Sequence, residues 1–175
     1  SRRARTLWRA RRRVRGPRRL PPRRENLINA VIVTEDKRFF FHPGVDLKGI
    51  ARAAYVNLKA RRIIQGGSTI TQQLAKNLFL TPERSFTRKL HELILSFWLE
   101  MRFSKEQLLS IYLNRVYLGS GTYGVQAASE KYFNKKVEEL NLYECALIAS
   151  LLKAPSKYNP ISNKKLSRER TAKVL

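Results

Sequence analysis

A mainly α-helical single domain is what this sequence predicts, and three observations predict it. Apolar residues recur at three- and four-residue spacing through most of the chain after residue 25. Helix-start signatures stand ahead of these runs: Thr69 with Gln72 and Ser104 with Gln107 read as capping boxes, and Asn141 with Glu144 starts a third run. Gly66-Gly67, Pro82, Gly119 and Pro155 fall at the edges of the runs, where breakers belong. The length of 175 residues with 43% hydrophobic content suits one domain with a real core.

Taken in order, residues 1–24 form a basic tail, flexible or juxtamembrane, and residues 25–175 form the domain. Pro17, Pro21 and Pro22 separate the two. Asn26 is positioned to cap a short helix through Leu27, Ile28, Val31 and Ile32 to Glu35, with a strand as the alternative because several of these residues are β-branched. A Pro43-Gly44 turn follows. Asp46 then caps a helix to about Ala60, whose apolar side is Ile50, Ala54 and Leu58 among Lys48, Arg52 and Lys59. A basic amphipathic helix of this kind suits either a core or a membrane surface. Beyond Gly66-Gly67, Ile70, Leu74 and Leu78 make the stripe of the next helix. Thr81-Pro82 opens another, with an expected buried stripe of Phe86, Leu90, Phe97 and Met101, widened by Leu93, Ile94 and Trp98. Ser104 begins a helix that Gly119 closes. The loop Gly119-Ser-Gly-Thr-Tyr-Gly124 leads to a short helix around Val125–Phe133, the Asn141 helix stops before Pro155, and Asn163 begins a last one.

Charge narrows the function classes. Of the 36 lysines and arginines, twelve arginines lie in residues 1–24, and none of the 13 acids does; the net charge is +23. The body is basic as well, so the surface suits a polyanion: nucleic acid, anionic lipid headgroups or substrate phosphates. Aromatics sit mainly on apolar helix faces and do not alternate with bases as a stacking platform would, which argues against nucleic acid. The single cysteine, Cys145, excludes an intrachain disulfide and a cysteine-rich metal site. No run of about 18 apolar residues offers a transmembrane helix.

Two carboxylates stand out. Glu35 opens Glu35-Asp-Lys-Arg-Phe-Phe-Phe-His-Pro-Gly44, where a helix-ending acid meets a rigid aromatic turn suited to holding it at a cleft edge. Glu92 belongs to Arg84–Arg88–Glu92, a four-residue ladder along one helix. With Lys76 these arginines form a cationic group: arginine's planar fork suits phosphate, and lysine adds a compact point charge. Taken alone, the ladder reads first as an ordinary solvated set of ion pairs.

The stretch Glu35–Gly44, followed in order by Gly66-Gly-Ser-Thr-Ile-Thr-Gln-Gln-Leu-Ala-Lys-Asn77, Arg88-Lys-Leu-His-Glu92 and Lys105-Glu-Gln-Leu-Leu-Ser-Ile-Tyr-Leu-Asn114, closely resembles the peptidoglycan glycosyltransferases. These are the glycan-polymerising domains of class A penicillin-binding proteins and their monofunctional relatives. The resemblance runs from about Asn26 to Pro160. It implies a lysozyme-like, mostly helical fold and polymerisation of lipid II into β-1,4-linked strands by inverting displacement of the donor's lipid pyrophosphate. By the same resemblance Glu35 is the general base on the acceptor's 4-hydroxyl, and Asp36, Phe39 and His42 shape its turn. Ser68, Thr69, Gln72 and Gln73 line the cleft and contact substrate. Lys76, Arg84 and Arg88 grip the pyrophosphate. Glu92 orients that cluster or a metal, and Lys157 in Ala154-Pro-Ser-Lys-Tyr-Asn-Pro160 lies at the far side of the site. The sequence requires no cofactor, and the resemblance allows a divalent cation, Mg or Mn, near Glu92. Implied partners are lipid II, the growing strand, a membrane surface and cell-wall synthesis machinery, with no nucleic acid. The implied place is the outer face of the bacterial cytoplasmic membrane, with a transmembrane anchor expected before Ser1. Ser162-Asn-Lys-Lys165 fits S-x-x-K by letters, but the partner motifs of a transpeptidase do not follow. The alternatives are a lysozyme-like peptidoglycan-cleaving enzyme, which needs no phosphate grip, and a basic membrane- or nucleic-acid-binding module.

Overall fold

A computed structural model describes residues 22–63, 66–80 and 85–175. The expected Thr81 cap and Arg84 lie outside the described residues, as does the basic tail up to residue 21; the helix expected to open at Thr81-Pro82 begins at Phe86, with Ser85 as its cap. Eight α-helices run in order among the described residues: α1 Pro22–Glu35, α2 Leu47–Ala60, α3 Ile70–Phe79, α4 Phe86–Arg102, α5 Lys105–Arg115, α6 Val125–Phe133, α7 Leu142–Leu151 and α8 Lys164–Thr171. The mainly α expectation holds. The piece ending at Glu35 is helix and not strand. It begins at Pro22, so Asn26 stands inside it and does not cap it; a proline at the first turn gives up an N–H that has no helical partner anyway.

Caps place the helices that matter most. Thr69 and Gln72 form the expected reciprocal box at α3 and Ser104 and Gln107 at α5; the helix start expected at Asn141 is a third such box, closed by Glu144 at α7. Asn163 caps α8. Gly119 does not close α5, which ends at Arg115. It sits instead in a tight turn where Leu118 N–H donates to Thr122 O and Thr122 N–H to Gly119 O.

The centre is α7, apolar on every side and buried from Glu144 to Leu151. It packs against α1 and α8, and α3 packs between α4 and α5. Leu27 and Val31 of α1, Ile70 and Leu74 of α3, Leu108 and Tyr112 of α5 and Ile148 of α7 close one core. Each such side chain contributes about 1.5–3 kcal/mol on burial. Cys145 is buried there, as a small hydrophobe would be.

The α4 stripe faces the opposite way from the expected one, and the α2 stripe, left open between core and surface, is on the surface. On α4 the buried residues are Glu92, Ser96 and Leu99, while Phe86 is 97% exposed, Met101 78%, and Leu90, Ile94, Phe97 and Trp98 are exposed with them. On α2, Gly49 and Ala53 are buried, whereas Ile50, Ala54 and Leu58 are exposed. Periodicity shows that a helix has two faces but not which medium covers each. Here the small and polar face of α4 meets α3 and the cleft, and its large apolar face is left uncovered. No helix of the described residues is long and apolar enough to cross a membrane.

Candidate functional site

Helix α1 delivers Glu35 at its last turn, and the chain then folds back through Asp36 to a short 3₁₀ turn, Phe39–Phe41. That turn is locked from beneath. Phe39 is fully buried, and the Nζ of Lys105 lies 4.5 Å from its ring centroid. His42 Nε2 donates to Asp36, 3.0 Å from each carboxylate oxygen, and the first amide of α3, Ile70 N–H, donates to the same carboxylate at 3.0 Å. Thr69 Oγ1 donates to the Gly44 carbonyl. Gly44 has a φ of +91°, and a Cβ there would lie 3.1 Å from the Ser96 carbonyl oxygen, so only glycine brings this turn onto α4. One buried carboxylate thus ties the Glu35 turn to the start of α3.

The result is a cleft of about 460 Å³ whose walls include α1, α2, α3, α4 and α8. Glu35, Asp36, Ser68, Thr69, Gln73, Lys76, Arg88 and Glu92 line it. Gln73 Nε2 donates to Glu35 Oε2 at 2.9 Å, and Tyr112 Oη of α5 donates to Gln73 Oε1 at 3.1 Å. Burial pushes the Glu35 carboxyl above the ordinary glutamate range; the Gln73 bond and the charges of Arg170 and Lys153 oppose this, and Asp36 adds to it. A raised carboxyl is a better base.

On the opposite wall Glu92 is buried and doubly paired: Lys89 Nζ donates to Oε1 at 2.7 Å and Arg88 Nη1 to Oε2 at 3.3 Å. Lys89 also donates to Ser68 Oγ at 3.0 Å. Lys76 is exposed at the rim. Seven bases and four acids line the cleft, so it favours an anion. Glu92 fits a divalent ion poorly. Both its oxygens already hold cations, and the described residues contain no group of three or more His, Cys, Asp or Glu side chains placed around a metal.

Several expected site residues stand elsewhere. Gln72 is buried at 1% exposure, its side chain spent on the Thr69 N–H, and it does not line the cleft. Phe39 and His42 are buried under the Glu35 turn and act on it from below. Lys157 is exposed, with Nζ 5.8 Å from the Tyr158 ring centroid, and is not among the cleft residues. Arg84 lies outside the described residues. Conversely, Lys89, Arg52, Lys153 and Arg170 line the cleft without having been singled out. Lys89 was legible as a base three residues before Glu92. Lys153 and Arg170 reach Glu35 from distant sequence, and no local pattern marks them.

A family model described as Transglycosylase matches residues 5–175. The chain belongs to the transglycosylase family. It is 54% identical over 151 residues to penicillin-binding protein 1A of Aquifex aeolicus (strain VF5), covering 86% of this chain and 21% of that protein. Against penicillin-binding protein 1A of Neisseria flavescens the identity is 50% over 149 residues, 85% of this chain and 19% of the relative. Penicillin-binding protein 1F of Bacillus subtilis (strain 168) is 49% identical over 146 residues, 83% and 20%. The chain spans about a fifth of the length of these relatives. As a transglycosylase domain of glycosyltransferase family 51, it has the mainly α, lysozyme-like architecture that the resemblance implied.

Proposed function

We propose that this transglycosylase domain polymerises lipid II into β-1,4-linked glycan strands by a single inverting displacement. The observation that carries the reading is the pairing, across one cleft, of a buried carboxylate of raised pKa with a separate cationic group. Glu35 removes the proton from the 4-hydroxyl of the acceptor's N-acetylglucosamine as that oxygen attacks the donor's anomeric carbon. The α-linked lipid pyrophosphate leaves into Lys76, Arg84, Arg88 and Lys89, with Ser68 and Thr69 along the way. Glu92 holds Arg88 and Lys89 in place.

Separation of the two groups has a physical purpose. Cations beside a carboxylate lower its pKa and weaken it as a base. Arg88 and Lys89 are held by Glu92, which leaves Glu35 to a milder environment in which burial outweighs Arg170 and Lys153. No step uses a metal ion; a Mg or Mn ion at Glu92 would have to displace a paired cation.

The reading includes the membrane surface and the growing strand as partners, cell-wall synthesis machinery as a wider setting, and the outer face of the cytoplasmic membrane as the place. The uncovered apolar residues of α2 and α4, Leu58, Phe86, Leu90 and Met101 among them, support contact with lipid close to a cleft that takes a lipid-linked donor.

Incubation of the chain with lipid II, followed by separation of products by glycan length, tests the proposal. A ladder of strands longer than the disaccharide is expected. Shortening of preformed glycan with no growth from lipid II would favour the peptidoglycan-cleaving alternative.

A further inference from the structure

Between Glu35 and the core runs a two-bond relay that the proposed chemistry does not yet use. Tyr112, on the middle of α5, is fully buried; its hydroxyl lies 3.1 Å from Gln73 Oε1, and Gln73 Nε2 lies 2.9 Å from Glu35 Oε2. Burial pushes the Tyr112 hydroxyl well up, and the carboxylates of Glu35 and Asp36 push it further the same way, so it remains a protonated donor. A glutamine side chain presents an acceptor at one end and two donors at the other, in nearly the same shape. Against an ionised Glu35 the donor end is favoured. Once Glu35 has taken a proton, its own O–H can donate, and a free amide would turn to offer oxygen instead.

We propose that Tyr112 is a positioning residue that locks the Gln73 amide and thereby makes Oε1 of Glu35 the atom that exchanges the acceptor's proton. With Tyr112 donating to Gln73 Oε1, the amide keeps its NH₂ toward Glu35 Oε2 in both charge states. Oε2 therefore stays an acceptor throughout. The proton must arrive at and leave from Oε1, the carboxylate's other oxygen. Locking the amide also disfavours the protonated carboxyl, because a turned Gln73 would accept from it and hold the proton back.

The inference rests on the reading of Glu35 as base. The charged and titratable groups facing Glu35 are Asp36 on the following turn, Lys153 after α7, Arg170 of α8 and Tyr112 itself. The relay itself runs through the Tyr112 hydroxyl and the Gln73 amide, so a change confined to those two side chains leaves Asp36, Lys153 and Arg170 in place.

The test is a double-mutant cycle on lipid II polymerisation across pH, using Tyr112→Phe, Gln73→Met and the pair. Tyr112→Phe removes one oxygen and keeps the ring. It should lower kcat about five- to tenfold, the worth of one net hydrogen bond, and move the acid limb of kcat/KM to higher pH. In the Gln73→Met background the same change should do nothing, since there is no amide to lock. A merely structural Tyr112 would give an unmoved acid limb and equal losses in both backgrounds, and either result overturns the proposal. Side-chain amide NMR of the parent chain reads the lock directly. The Gln73 NH₂ resonances, identified by their absence in Gln73→Met, should stay protected on both sides of the Glu35 titration. Their exposure or rearrangement on protonation would also overturn the lock. Glu35→Gln separates the failures. If that variant polymerises like the parent, the base assignment is what fails; if it is inactive while the cycle is additive, only the relay fails.

Discussion

Removing the Asp36 carboxylate should unsettle both the fold and the cleft, because one buried side chain serves both. Asp36 is 6% exposed and accepts from His42 Nε2 and from Ile70 N–H, all at 3.0 Å. Hydrogen bonds to a charged group contribute about 1.5–3 kcal/mol each. Asp36→Ala loses two donors' worth and leaves the Ile70 N–H orphaned at a buried helix start, so a loss of about 3–6 kcal/mol follows. That is a large share of the roughly 5–15 kcal/mol a domain possesses. Asp36→Asn keeps one acceptor oxygen and turns an NH₂ toward one of the two donors, so about half the loss is expected. Urea denaturation of the parent and both variants measures this directly. Gln73 lies one turn into the helix that Ile70 begins, so Asp36→Asn should also loosen Gln73 from Glu35 and slow turnover in the fraction that remains folded. A midpoint shift equivalent to less than about 1 kcal/mol for Asp36→Ala would refute the claim that this carboxylate ties the turn to α3.

Three further outcomes are expected. Arg88→Ala and Lys76→Ala should weaken binding of phosphoglycolipids that mimic the donor, such as moenomycin, by about ten- to hundredfold, with Arg88→Lys between; parent-like dissociation constants would remove these cations from the donor site. Because the Glu35 carboxyl is raised, the native state holds its proton to higher pH than the unfolded chain, and stability falls as pH rises between the unfolded and native values. Glu35→Gln should therefore match the parent at acid pH and become the more stable of the two towards neutrality, and urea midpoints whose gap does not widen with pH would contradict this. Changing Phe86, Leu90 and Met101 together to serine should reduce partition onto anionic vesicles at least tenfold, since each apolar side chain contributes about 1.5–3 kcal/mol when buried; unchanged partition, or equal binding to neutral and anionic vesicles at all salt concentrations, would contradict the membrane-facing reading.

What the sequence made legible follows the range of each signal. The capping boxes at Thr69 and Ser104 and the helix start at Asn141 are local, lie within four residues, and stand in the structure as read. The stripe of Phe86, Leu90, Phe97 and Met101 was found, but its orientation was not, because an exposed apolar face and a core-facing one share one periodicity. Gln72 carried two readings, cap and cleft contact, and geometry allows it only the first. The ladder below Arg84 proved branched: Lys89, one position off the four-residue spacing, makes the shorter bond to Glu92. Arg170, Lys153 and Tyr112 approach Glu35 from α8, the turn after α7 and α5, contacts that only the folded chain creates.

The claim on which the rest depends is that Glu35 is the base, and one measurement reaches it: the initial rate of lipid II polymerisation by Glu35→Gln beside the parent, with both chains shown folded by their urea transitions. The amide keeps the size of the side chain and an oxygen for Gln73, and it removes only the ability to take a proton. General base catalysis is worth about 10²–10⁴-fold, so the rate should fall by at least a hundredfold while binding of a donor mimic is largely kept. A folded Glu35→Gln chain that polymerises within a few-fold of the parent would contradict the account at its centre.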